Sequence, residues 1–260
     1  MDSTVITALY DIGRDKHGDG RSIDEYLKWF EKTLQLNVPM VIYTEEKFKN
    51  FVVEKRLNPN THIVINPLNE IPYFKYKKQI EDIIESNNYK LKMKDSHRVE
   101  CVLSLYNIIQ YSKFEWIVKA IDNNYFDTDY YFWLDAGASR FFEDINYYNT
   151  WPNNYSILDK NKFNIQGNIN TLRYFYNWPG DDNYIWDCNC ILCGGLFGGS
   201  KEICKKISKD VNHYFEHYLN QSCVNNEQII LGILLKNNSE FFNVYMNLNG
   251  KPLPFLKDLS

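Results

Sequence analysis

The sequence predicts an α/β fold, a mostly parallel central sheet flanked by helices, and three observations carry that prediction. Short apolar or aromatic runs alternate with helically spaced apolar stripes from Thr4 to Leu134, the pattern of strand–helix–strand units. The runs TVITALY and YYFWL are almost free of polar interruption, as buried strands are. The segments that follow them are glycine-rich or charged, and open α/β sheets bind ligands just beyond the carboxyl ends of their strands.

Residues 4–10 form the first expected strand, which breaks into DIGRDKHGDGRS, a segment that cannot continue it. Asp11, Gly13 and Arg14 lie where a nucleotide-binding loop would be. Arg14 can meet a phosphate and Gly13 lets backbone come close, although a solvated loop with ordinary charges reads the same way. Ser22 and Glu25 make a capping box ahead of Ile23, Tyr26, Leu27, Phe30 and Leu34, which predicts a helix over residues 23–36. Strands over 39–44 and 61–66 then bracket a helix over 45–56.

After a loop at 67–72, Tyr73, Tyr76, Ile80, Ile83 and Ile84 give a helix its stripe, and residues 90–97 are basic without a pattern. Two further helices are expected, one through Val99, Val102, Leu103 and Tyr106, the other through Phe114, Ile117 and Ile121, with Lys113 at their join. They lead into DYYFWLDAGASR, residues 129–140. Here a strand delivers Asp135 to a sheet edge, and Ala136, Gly137, Ala138 and Ser139 leave room for a ligand against the backbone. Such a carboxylate holds a metal or a sugar hydroxyl, or caps the next turn.

Residues 141–180 are rich in Asn, Tyr and Trp with few periodic runs, and are expected to form an irregular lid or acceptor platform. CNCILCGGLFGG follows, residues 188–199. Its glycine pairs let backbone lie flat against a ligand. A helix striped by Ile203, Ile207, Val211, Phe215 and Tyr218 comes next, then one opened by Asn226 and Glu227. Glu227 favours the helix dipole there, or binds a sugar hydroxyl or takes a proton. A strand over 242–248 closes the pattern.

With 260 residues and 44% hydrophobic content the chain can bury a core as one domain. A net charge of −4, without a basic block, argues against a nucleic-acid partner. No apolar run is long enough for a transmembrane segment. The opening MDSTVITALYDIG lacks the features of a secretory signal, so a cytoplasmic location with reduced thiols is expected. Cys188, Cys190 and Cys193 lack the paired spacing of a zinc site. His213 and His217, one helical turn apart, lack a third ligand.

Taken in order, TALYDIGR, YSKFEWIVKAI, YYFWLDAGASR, CGGLFGGSKE and NNEQIIL resemble the HtrL/YibB family of predicted glycosyltransferases of the GT-A type. The resemblance spans residues 4–235. It implies a single GT-A-like domain over 1–260, with a nucleotide-binding half (1–140) and an acceptor-side half (141–260). It also implies a nucleotide-diphosphate sugar donor, a glycan or other hydroxyl acceptor, and a divalent metal, Mn²⁺ or Mg²⁺, at Asp135. On this resemblance Asp11, Gly13, Arg14, Lys113, Asp135, Gly137 and Arg140 hold the nucleotide. Gly194 and Gly195 begin a floor under the sugar that runs to Gly199. Asp187 and Glu227 are the candidate catalytic carboxylates.

Two departures from the GT-A pattern stand out. Gly137 replaces the second acid of the DxD motif, and no histidine follows His217. A non-catalytic carbohydrate-binding protein, or another nucleotide-dependent α/β enzyme such as a methyltransferase, remains open, as does oligomerisation.

Overall fold

The computed structural model describes residues 2–142 and 151–246 together with Phe255, Asp258 and Leu259. The chain runs β1 (Ser3–Leu9), α1 (Ile23–Thr33), β2 (Met40–Thr44), α2 (Glu46–Lys55), β3 (Thr61–Ile65), α3 (Lys77–Glu85), α4 (Asn87–Lys92), α5 (Ser104–Asn123) and β4 (Tyr130–Leu134). It continues through β5 (Phe163–Gly167), α6 (Thr171–Tyr176), α7 (Asp181–Tyr184), β6 (Leu192–Ser200), α8 (Lys201–Asn220), α9 (Glu227–Asn237) and β7 (Phe242–Met246). The capping box forms as expected: the Ser22 hydroxyl accepts from Glu25 N, and the Glu25 carboxylate accepts from Ser22 N.

Among the described residues the strands make one sheet in the order β3-β2-β1-β4-β6-β5-β7. Only β6 runs against the others. This is a mostly parallel α/β sheet flanked by helices, the fold class the sequence predicts. Successive side chains of a strand point to opposite faces, and the core divides accordingly. Ile6, Val41, Tyr131, Trp133 and Phe197 pack under α3, α5, α8 and α9. Val5, Ile42, Phe132, Leu134 and Leu196 pack against α1 and α2. Burial on both faces explains why the strands read as unbroken apolar runs. No helix among the described residues is long and apolar enough to cross a membrane.

Three expectations are corrected. The two helices expected around Lys113 are one, α5, with Lys113 buried inside it, and Val99, Val102 and Leu103 lie in the turn that precedes it. The irregular stretch after Arg140 contains β5, hidden because its alternate residues Asn164 and Gln166 are polar yet buried. The glycine floor is a strand rather than a loop: Gly198 and Gly199 pair with Phe132 and Tyr131 deep in the sheet. The last expected strand ends at Met246, and Asn247 and Leu248 lie outside the described residues.

A Cβ on Gly198 would stand 2.1 Å from the Tyr131 carbonyl oxygen, so any side chain there must push β4 and β6 apart. Gly198→Ala is expected to cost about 1–3 kcal/mol, the usual range for overpacking. A lowered urea midpoint at unchanged slope would register it.

Candidate active site

Parallel strands end together, so the segments after β1 and β4 meet at one edge of the sheet. Reversed β6 brings its first residues to the same edge, where Asp135 N donates to the Gly195 carbonyl at 2.9 Å. Helix α5 presents Tyr106, Gln110 and Lys113 there, at spacings of four and three that share one helical face. These residues line a cleft with two halves that share Tyr106, Gln110, Lys113, Asp135 and Arg140. The first half adds Asp11, Arg14, Arg21 and Gly137. The second adds Gln166, Asn168, Gly194, Gly195, Glu227 and Gln228.

Lys113 sits at the junction with 2% of its side chain exposed. Its ammonium donates to the Gly194 carbonyl at 2.9 Å and to Glu227 Oε1 at 3.0 Å, and it pairs with Asp135 Oδ1 at 3.0 Å. Asp135 Oδ1 also accepts from the Trp133 indole at 2.6 Å. Burial alone would lower the Lys113 pKa, but the carboxylates of Asp135 and Glu227 outweigh it and hold the ammonium above its ordinary value. A charge this deep is tolerable only because it is paired on several sides.

Glu227 is fully buried. Burial raises its pKa and the Lys113 charge opposes that only in part, so the carboxyl stays above its ordinary value. Among the described residues its Oε2 finds no hydrogen-bond partner, an uncommon state for a buried acceptor. Asn226 fixes it in place by capping α9, its side chain accepting from Gln228 N and Ile229 N. Gly194 is opposite: a Cβ there would lie 2.1 Å from Glu227 Oε1.

The cations of the first half are held by rings and acids. Arg140 lies over Trp29 and Phe141, with 5.2 and 4.6 Å to the ring centroids. Arg14 lies 5.3 Å from the Tyr106 ring, pairs with Asp19 at 2.8 Å and donates to His17 O at 2.7 Å. Asp11 pairs with Lys47 at 3.3 Å. Gly13 does not line the cleft; it takes φ 70° between Asp11 and Arg14, a left-handed turn that suits glycine. Gly137 lines the cleft, and a Cβ added there would stand 3.3 Å from the Trp29 ring.

Asp187 lies apart from both halves of the cleft lining. Its Oδ1 accepts from Cys188 N, Asn189 N and Asn189 Nδ2, and its Oδ2 from Lys94 Nζ and Tyr174 OH. Burial would raise its pKa, yet these donors hold the carboxyl below its ordinary value. It clamps the turn ahead of β6 with no oxygen left without a donor. Tyr106, Gln110, Arg21, Gln166 and Gln228 escaped the sequence reading. Gln110 and Lys113, three apart on one face of α5, are the signal the sequence offers.

At the expected metal position one oxygen of Asp135, Oδ1, is already engaged by Lys113 and the Trp133 indole. Asp135 Oδ1, Glu227 Oε1 and Gly194 O converge on one point, and the Lys113 ammonium holds it. Among the described residues no group of three or more His, Cys, Asp and Glu side chains could hold a metal ion. The donor set does not fit a dedicated divalent site.

A family model, HtrL_YibB, described as a bacterial protein of unknown function, matches residues 1–253. Protein HtrL of Escherichia coli (strain K12) is 25% identical over 264 residues, covering 96% of this chain and 89% of that protein. Among solved structures, apo mouse xyloside xylosyltransferase 1 is similar with a TM-score of 0.45 at 9% identity, over 94% of this chain and 85% of that one. The 4-diphosphocytidyl-2C-methyl-D-erythritol synthase of Anaerococcus prevotii DSM 20548 gives a TM-score of 0.38 at 10% identity, over 99% and 94%.

Proposed function

The chain belongs to the HtrL_YibB family, and from its cleft we propose that it is a glycosyltransferase, moving a sugar from a nucleoside-diphosphate donor to a glycan or other hydroxyl acceptor. One observation carries the reading: four cations gather in the first half of the cleft and at its junction with the second. Arg14 and Arg21 line the first half alone and Lys113 and Arg140 the stretch both halves share, where a diphosphate would find charge-assisted donors. The second half offers the carboxamides of Gln166, Asn168 and Gln228 and the bare backbone of Gly194 and Gly195, a surface suited to a neutral, hydroxyl-rich ring.

In the reaction an acceptor oxygen attacks the anomeric carbon, and the bond from that carbon to the diphosphate oxygen breaks. The electron pair leaves on the diphosphate, where Lys113, Arg14 and Arg140 stabilise the growing charge. The acceptor proton passes to a carboxylate. Glu227, with an oxygen free of protein donors, is the base the second half provides. Asp135 holds Lys113 and faces the donor's hydroxyls, while Asp187 positions the turn into β6.

Calorimetric titration with UDP, GDP, CDP and ADP and their hexose conjugates tests this. At least one diphosphate should bind, and its sugar conjugate should release it when an acceptor is present. Arg140 is exposed, so Arg140→Ala should leave the melting temperature nearly unchanged. Loss of one charge-assisted contact, about 1.5–3 kcal/mol, should weaken the diphosphate roughly tenfold or more. Glycan binding with no nucleotide binding would instead favour a carbohydrate-binding protein.

A further inference from the structure

Three oxygens surround Nζ of Lys113 at 2.9–3.0 Å: two carboxylate oxygens, from Asp135 and Glu227, and the Gly194 carbonyl. Hard oxygens of these kinds are the usual ligands of Mg²⁺ and of other cations that bridge diphosphates. They come from three distant parts of the chain, after β4, at the start of α9 and early in β6. The cation at their centre is covalent, reaching in from the middle of α5. It lies where the cationic and the carboxamide halves of the cleft join, the place where the diphosphate–sugar bond falls on the reading above.

We propose that the Lys113 ammonium is a built-in substitute for the divalent cation at this site, so that the protein binds a nucleoside diphosphate without metal. The proposal rests on the diphosphate reading of the cleft. Three physical features support it. The oxygen tripod is satisfied by the ammonium, so a divalent ion would have to expel a cation that is nearly fully buried. The position of the second DxD acid is Gly137, which adds no ligand. Arg14 and Arg140 supply the remaining positive charge from side chains braced on Tyr106 and Trp29.

The experiment is a titration of the full chain with UDP, GDP, CDP and ADP, in excess EDTA and again in excess Mn²⁺. The dissociation constant of whichever diphosphate binds is expected to agree within about threefold between the two conditions, a difference below 1 kcal/mol. Binding that appears only with Mn²⁺ overturns the proposal and leaves the glycosyltransferase reading standing. No binding in either condition overturns both. A second readout needs no nucleotide: by electron paramagnetic resonance, wild type should not bind Mn²⁺ and Lys113→Ala, with the tripod vacated, should acquire one site. A folded Lys113→Ala that takes no Mn²⁺ also overturns the proposal. If that variant does not fold, the wild-type titration decides alone.

Discussion

Lys113→Met should destabilise the fold by roughly 3–5 kcal/mol, the cost of breaking a buried ion pair by removing one partner. For a chain of this size each kcal/mol is worth about 2–4 °C, so the melting temperature should fall by roughly 6–20 °C. Methionine replaces the length of the lysine stem, which separates loss of charge from loss of packing. Asp135 is half-exposed and can turn to water, but Glu227 is fully buried and cannot. Its carboxyl already lies above its ordinary value of 4.5 through burial, and the variant removes the ammonium that holds it down.

The pH dependence follows from that sign. A group whose folded-state pKa exceeds its unfolded value contributes its stability in full below the unfolded pKa, and loses it as pH rises through the folded one. Lys113→Met should therefore be nearest to wild type in acid and weaken steadily as pH rises above the ordinary glutamate range. Adding Glu227→Gln should flatten that slope. Urea unfolding of the single and double variants across acid to mildly alkaline pH measures both effects. A single variant as stable as wild type at alkaline pH would mean that Glu227 reaches water without Lys113.

That pair also marks where sequence reading stops. The strand ends were legible because their signals are local: an apolar run, then Asp11 or Asp135, then small or charged residues. Lys113, between Ser112 and Glu115, has the local look of a helix junction at the surface. What keeps it inside is Glu227, 114 positions later, and no local pattern announces a contact at that range. β5 was hidden for the same reason. Asn164 is satisfied by Asn243, and the Gln166 carbonyl by Phe255 N, partners supplied by other parts of the chain. Among the glycines of β6, residue type could not say which face the ligand and which face Tyr131; only the β4–β6 register separates Gly194 and Gly195 from Gly198 and Gly199.

Gly194→Ala should reduce turnover by about 10²–10³ while leaving diphosphate affinity within a few-fold. The added Cβ would stand 2.1 Å from Glu227 Oε1 and 3.1 Å from Gln228 Cγ, and the strand cannot easily retreat. Gly194 N donates to Gln228 Oε1 at 3.1 Å, and its carbonyl accepts from Lys113 Nζ at 2.9 Å. The Glu227 carboxylate is therefore the group that must move, away from the sugar half of the cleft. A positioned base contributes about 10²–10⁴ to rate, and a displacement of about 1 Å can cost 10². Arg14 and Arg140 lie in or reach the other half and keep their places, so the diphosphate should still bind. Steady-state kinetics would show the loss in kcat with KM for the donor little changed, the pattern of an interaction that matters in the transition state. Parallel loss of nucleotide affinity and turnover would move Gly194 and Glu227 into the nucleotide subsite and remove Glu227 as the base.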